Sequence, residues 1–218
     1  MSRFTICMAE QRSPEWFAAR LGRATGSIAA AIKAKAKTGN GEAVTRRNER
    51  VRLAIELLTG VAEPDDFMTA DMKRGVLLEP KAIAAYEAHT GEMVRRTGFL
   101  SMRDCLAGCS LDFDVNNFEG FGEVKCPKAA VHIETIESRT VPSEHLPQIR
   151  HNFWGSGAKW CDFISFNDTV PEHLQLYVVR IERSEIEAEI KAYEPELKRF
   201  MAEVSLTVKK FREMKVAA

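Results

Sequence analysis

Glu123 and Lys125 stand two residues apart in Gly122-Glu-Val-Lys-Cys-Pro127. On extended backbone that spacing puts a carboxylate and an amine on one face, with Val124 on the other. Asp112 closes an earlier strand-like run, and a hairpin between the two would bring a second carboxylate to the same lysine. Two oxygen-donor carboxylates and one ammonium are the smallest set that holds a hard divalent cation and steadies an attacking water, as phosphodiester hydrolysis requires. A Glu-x-Lys pair on a half-exposed strand is also commonly a solvated charge pair. Here the apolar residues around Cys109-Ser-Leu-Asp112 and around Glu123 point to central strands, where such a pair is costly without a partner or a metal.

The elements that must position these residues follow from punctuation and periodicity. Ser13-Pro14 starts a short helix that Gly22 stops, and Thr25-Gly-Ser27 precedes an alanine-rich helix over 28–37. A longer helix over 44–58 is stopped by Gly60. Thr69 caps another running to His89, with Gly91 beyond it and Pro80 predicting a kink or break near Glu79. From residue 92 the pattern turns strand-like, over 92–102, 105–115 and 121–126, which reads as a three-stranded meander. Helices at 128–138 and 143–155, apolar runs at 160–166 and 174–181, and a long helix over 184–215 complete the chain. The expectation is one α/β domain with a central mixed β-sheet flanked by helices, divided into a helical part (1–91), the sheet with its helices (92–182) and the last helix.

Composition sets the outer limits. The chain has 218 residues, 45% hydrophobic and 28% charged, with 31 basic and 31 acidic side chains and a net charge of zero. That is enough chain to bury a core, and no broad basic coat for DNA is expected. The basic excess is concentrated: residues 1–60 hold 11 basic and 5 acidic side chains, which suggests a local polyanion-facing surface or a solvated helical face. Five cysteines without a CxxC pair fit free thiols better than disulfides or a zinc ribbon. No signal-peptide pattern follows Met1 and no run of about 18 apolar residues occurs, so a cytoplasmic protein without a membrane partner is expected.

Four segments together resemble the YqaJ-type viral recombinases, the phage lambda exonuclease family within the PD-(D/E)xK nuclease superfamily. They are Trp16-Phe-Ala-Ala-Arg20-Leu-Gly-Arg-Ala-Thr-Gly-Ser27, Arg74-Gly75-Val-Leu-Leu-Glu79, the pair Ser110-Leu-Asp112 and Glu123-Val-Lys-Cys-Pro127, and Pro147-Gln148-Ile-Arg-His-Asn-Phe-Trp154. One departure is Leu111, where the superfamily pattern has proline. The resemblance implies a restriction-endonuclease-like core and a magnesium-dependent deoxyribonuclease, with two ions and manganese as a substitute. It would digest linear double-stranded DNA from 5′ to 3′ and leave 3′ overhangs for recombination by strand annealing. It further implies a ring-shaped homotrimer, a single-strand annealing protein as partner, and a phage or prophage product in a bacterial cytoplasm.

Position by position, the resemblance implies that Asp112, Glu123, the Val124 carbonyl and Glu79 hold metal. Lys125 would orient or deprotonate the attacking water, and Gln148 would contact the nucleophile or the scissile phosphate. Arg20, Ser27 and Ser110 would bind a terminal 5′-phosphate, and Met72 would be the wedge that parts the strands. Read without the resemblance, Ser27 is equally a helix cap, Arg20 a surface charge, Gln148 an ordinary helix residue and Met72 a core methionine. Two other readings stay open: a restriction-like or repair endonuclease of the same fold, and a non-catalytic DNA-end-binding module. The cysteine spacing does not supply the iron–sulfur cluster of some superfamily members.

Overall fold

The computed structural model describes residues 3–36, 41–62 and 69–214. Helix α1 (Pro14–Arg20) starts where the Ser13 hydroxyl accepts the Trp16 N–H and proline occupies the first turn. The helix expected over 28–37 is much shorter. A 3-10 turn (Gly26–Ile28) leads into α2 (Ala29–Ile32), and Lys35 then pairs with Glu42 in an antiparallel bridge that ends the helical course. Residues 37–40 lie outside the described residues. Helix α3 (Val44–Thr59) ends on left-handed Gly60 and α4 (Ala70–Thr90) on left-handed Gly91, as their sequences require.

Thr69 caps α4 by accepting the Met72 N–H, and the helix runs unbroken through Pro80. The expected break is absent because Leu78, Ala82, Ile83 and Tyr86 are buried on the sheet around the proline. That packing outweighs the one backbone hydrogen bond the ring removes.

The expected three-stranded meander is a correction of some consequence. Its first two runs each divide between two sheets. One sheet joins β1 (Phe4–Cys7), β3 (Phe99–Met102) and β4 (Gly108–Cys109), all antiparallel. The other has the order β2 (Val94–Arg95), β5 (Phe113–Val115), β6 (Gly120–Lys125), β7 (Trp160–Phe166), β8 (Leu176–Glu182), parallel only between β6 and β7. The chain changes sheet at residues 96–98 and again at 110–112. Gly98 is required at the first change, where a Cβ would stand 1.8 Å from the Cys7 carbonyl oxygen. At the second, Leu111 is buried and its carbonyl accepts from Gln11 Nε2 and Thr97 Oγ1. Strand β1 was not foreseen, so residues 1–91 are not purely helical.

The β6–β7 crossover carries α5 (Ala129–Ser138) and α6 (Leu146–Ser156), and α7 (Arg183–Glu213) packs against α3 and α6. Its expected end near residue 215 lies outside the described residues. Two cores result. Val124, Phe113 and Ile164 face α4, while Phe121 and Phe163 face α6 and α7 with Phe153, Tyr193 and Phe200. All five cysteines are free, and among the described residues no helix is long and apolar enough to cross a membrane.

Two glycines make opposite demands. A Cβ on Gly122 of β6 would meet the Phe113 ring at 2.1 Å, and that ring is itself packed on Tyr86. Gly75, inside α4, has open space at its Cβ position. Gly122→Ala is expected to cost about 1–3 kcal/mol through overpacking, whereas Gly75→Ala should gain about 0.5–1 kcal/mol through helix propensity. Urea denaturation of the two variants beside the wild type reads both signs.

Candidate active site

Asp112 stands just before β5, and the pairing of Phe113 with Gly122 carries it alongside the end of β6. There its Oδ2 accepts the Val124 N–H at 2.6 Å. Glu123 has no exposed surface; its Oε1 is paired with Lys125 Nζ at 2.5 Å and its Oε2 accepts from Asn152 Nδ2 on α6 at 3.1 Å. Glu79 approaches from α4, with Arg96 at 3.6 Å. Glu79, Asp112 and Lys125 line one cleft of about 500 Å³ together with Met72, Gly75, Arg12 and His145, and Glu123 is buried behind Lys125. His145 stacks on Phe163 with ring centroids 5.4 Å apart.

The electrostatics follow from crowding carboxylates where water is scarce. Burial first, and then the charge of Glu123, push the Asp112 carboxyl up to about 8, against the pull of Lys125 and the Val124 N–H. Burial likewise raises Glu79, although Arg96, Arg12 and Lys125 draw it down. For Lys125 burial works against the charge, but Glu123 and Asp112 outweigh it and hold the ammonium protonated well above the usual lysine range.

Among the described residues no group of three or more His, Cys, Asp or Glu side chains is spaced to hold a metal ion by itself. The donor chemistry nevertheless fits a hard divalent cation. Glu79, Asp112 and Glu123 offer only oxygen, they face a single lysine, and the buried Asp112 carboxyl carries a penalty that a cation would remove.

The second expected cluster also forms. Arg20 lies over the Trp16 ring at 4.0 Å from its centroid, and its Nη1 donates to Ser110 Oγ at 2.9 Å. Arg20, Arg23, Thr25 and Ser27 line a pocket of about 360 Å³. Ser27 is not a helix cap: it sits within the 3-10 turn, 3.0 Å from the Thr25 hydroxyl, and α2 beyond it is only four residues long, so little helix dipole is available. Gln148, like the buried Glu123, is not among the side chains that line the cleft of Asp112 and Lys125. It packs instead on that turn, where a Cβ on Gly26 would stand 3.0 Å from its Cγ. The basic excess of residues 1–60 is partly spent, since Arg46, Arg50 and Arg52 pair with Glu42, Glu49, Glu56 and Glu203. Met72 is exposed at the start of α4 on the cleft rim, so it is no core methionine.

Sequence reasoning missed Asn152, Arg12 and His145. Asn152 had a usable signal, because it lies four residues after Gln148 and therefore on the same helix face. The other two reach the cleft only through tertiary packing.

A model of the YqaJ-like viral recombinase domain matches residues 15–159, which include both clusters. The chain belongs to the YqaJ-like viral recombinase family. It is similar to the crystal structure of the alkaline exonuclease LHK-Exo from Laribacter hongkongensis, at 35% identity and a TM-score of 0.81, covering 92% of this chain and 96% of that one. A structure of LHK-Exo in complex with dAMP gives a TM-score of 0.78 at the same identity and coverage. A phage-related exonuclease from Haemophilus somnus shares the fold at 13% identity, with a TM-score of 0.63 over 86% of this chain and 96% of that one. No protein with a curated description matches. The fold of this YqaJ-like chain is the PD-(D/E)xK fold, with a mixed central sheet between helices.

The raised Asp112 carboxyl has a signed consequence. As pH climbs from the ordinary aspartate range toward about 8, the unfolded chain sheds this proton while the metal-free folded chain keeps it. Stability from this group is therefore complete at low pH, falls across that window and is gone above it. Asp112→Asn, which retains an acceptor for the Val124 N–H, should melt higher than the wild type in EDTA at pH 8, by about 2–4 °C for each kcal/mol recovered. The gap should close toward pH 5; thermal melts at the two pH values decide it, and equal melting at pH 8 would contradict a penalised carboxylate.

Proposed function

We propose that this family member is a single-domain, metal-dependent deoxyribonuclease that degrades linear double-stranded DNA from the 5′ end and leaves a 3′ overhang. The observation that carries the reading is the adjacency of two different centres. Asp112 and Lys125 line a cleft with Glu123 buried behind them, and the Arg20–Ser110 cradle begins two residues before Asp112. A strand end held by its terminal phosphate would thus lie close to the hydrolytic carboxylates. The relationship to LHK-Exo, an alkaline exonuclease, supports the same reading.

Asp112, Glu123, the Val124 carbonyl and Glu79 would hold two magnesium ions, replaceable by manganese, which when bound supply an activated water and neutralise charge on the phosphodiester. Lys125, already held as a cation, would donate to the attacking water or to a phosphate oxygen. Arg20 presents a planar fork suited to two phosphate oxygens, and Ser110 and Ser27 add hydroxyls. Gln148 would support the phosphate turn rather than the water. Met72 would press on the last base pairs. The wider setting we propose is a ring-shaped trimer in a bacterial cytoplasm that passes its 3′ overhang to a single-strand annealing protein.

Digestion of an end-labelled linear duplex beside a covalently closed circle, with and without magnesium, tests the reading. Loss of the linear form alone, abolished in Lys125→Ala, is the expected result; nicking of the circle would make the enzyme an endonuclease.

The phosphate cradle gives a finer test. Loss of one charge-assisted contact is worth about 1.5–3 kcal/mol, so Arg20→Ala should slow digestion of 5′-phosphorylated ends by roughly 10- to 100-fold. Ends bearing a 5′-hydroxyl should change little. Equal slowing of both would confine Arg20 to general backbone attraction or to folding.

A further inference from the structure

Glu123 is held on one side by its own strand and on the other by helix α6. Lys125 takes Oε1, and Asn152 donates to Oε2 at 3.1 Å. Only an amide NH2 can face a carboxylate favourably, so this contact fixes the Asn152 side chain with Oδ1 pointing away from Glu123. That oxygen is buried and has no hydrogen-bond partner among the described residues, in a side chain only 1% exposed. A leucine of nearly the same shape would avoid the orphaned oxygen. The amide is therefore retained at a cost, and among the described residues the only hydrogen bond its side chain makes is the one to Glu123.

Oδ1 faces the turn that carries Ser27. A Cβ on Gly26 would stand 3.1 Å from Asn152 Oδ1 and 3.0 Å from Gln148 Cγ. The backbone of the Thr25–Ser27 turn thus comes down on α6 between these two side chains, one helical turn apart. The same turn supplies Thr25 and Ser27 to the Arg20 pocket.

We propose that Asn152 is a positioning residue that sets the Glu123 carboxylate for divalent-cation binding, and that its seat against Gly26 ties this carboxylate to the phosphate-pocket turn. The inference rests on reading Glu123 as a metal ligand. Partners of this kind, one step removed from the metal, are typically worth about 10- to 100-fold in metal affinity.

The test is Mn²⁺ binding to the metal-free protein by calorimetry, which needs no catalysis. Asn152→Leu should bind Mn²⁺ about 10- to 100-fold more weakly, and in EDTA it should melt somewhat below the wild type, since removing the orphaned oxygen only partly offsets the donor that Glu123 Oε2 loses. Should it fail to fold, Asn152→Ser takes its place with the same readouts. Gly26→Ala, whose new methyl presses on both Gln148 and Asn152, should weaken Mn²⁺ binding in the same direction. Unchanged Mn²⁺ affinity in Asn152→Leu, or in Gly26→Ala, overturns the proposal. A wild type that binds no Mn²⁺ removes the metal-ligand reading of Glu123 itself, and the proposal with it; a wild type and an Asn152→Leu that bind equally remove this inference alone.

Discussion

Everything around the cleft is organised by one unfavourable fact: Glu123 and Asp112 are carboxylates taken out of water side by side. A buried charge is tolerated only with partners, and here the partners come from different parts of the chain. Lys125 answers from the same strand, the Val124 N–H from the backbone, and Asn152 from α6. Even so the balance is incomplete, because burial and like charge leave the Asp112 carboxyl far above its ordinary range. A fold selected for stability alone would have placed apolar residues here. The unrelieved cost of ionising Asp112 is what makes a divalent cation, which stabilises the ionised form, a fitting occupant.

The architecture achieves this crowding by breaking strands rather than by adding loops. Had residues 105–115 formed one continuous strand, the side chains of Ser110 and Asp112 would share one face of one sheet. Instead the chain leaves β4, crosses at 110–112 and enters β5 in another sheet, with Leu111 buried and its carbonyl fastened by Gln11 and Thr97. Ser110 is thereby turned toward Arg20 and Asp112 toward β6. The position where the superfamily pattern has proline is occupied by this clamped leucine, so the restraint on the backbone comes from two side-chain hydrogen bonds rather than from a ring.

What the sequence revealed, and what it concealed, divides along the same line. The Glu123–Lys125 alternation, the Ser13-Pro14 and Thr69 helix starts, and the Gly60 and Gly91 stops were readable because each is decided within a few residues. The division of the meander was not, since it depends on β1, which is distant in sequence, pairing with β3. Nor was the fate of the basic excess: Arg46 and Arg50 look free in sequence but meet Glu203 and Thr207 of α7, 157 residues on. Asn152 was partly legible from its spacing to Gln148, but its orphaned oxygen depends on how α6 meets the Gly26 turn. Local chemistry was visible; the contacts that give it direction were long-range.

The two-residue step from Ser110 to Asp112 also bears on how much DNA is removed at a time. Two residues of chain span at most about 7 Å, and this stretch cannot lengthen, because Leu111 is buried and its carbonyl is doubly bonded. Arg20 cannot drift either, being backed by the Trp16 ring and bonded to Ser110. In the exonuclease reading, a terminal phosphate in the cradle therefore stands at a fixed short reach from the hydrolytic carboxylates, on the scale of neighbouring phosphates along an extended strand. In that reading the separation of the two phosphates would be held by rigid backbone. In the same reading a hydrolysis that left a new terminal phosphate would recreate the group the cradle binds, and the strand would advance by the same step.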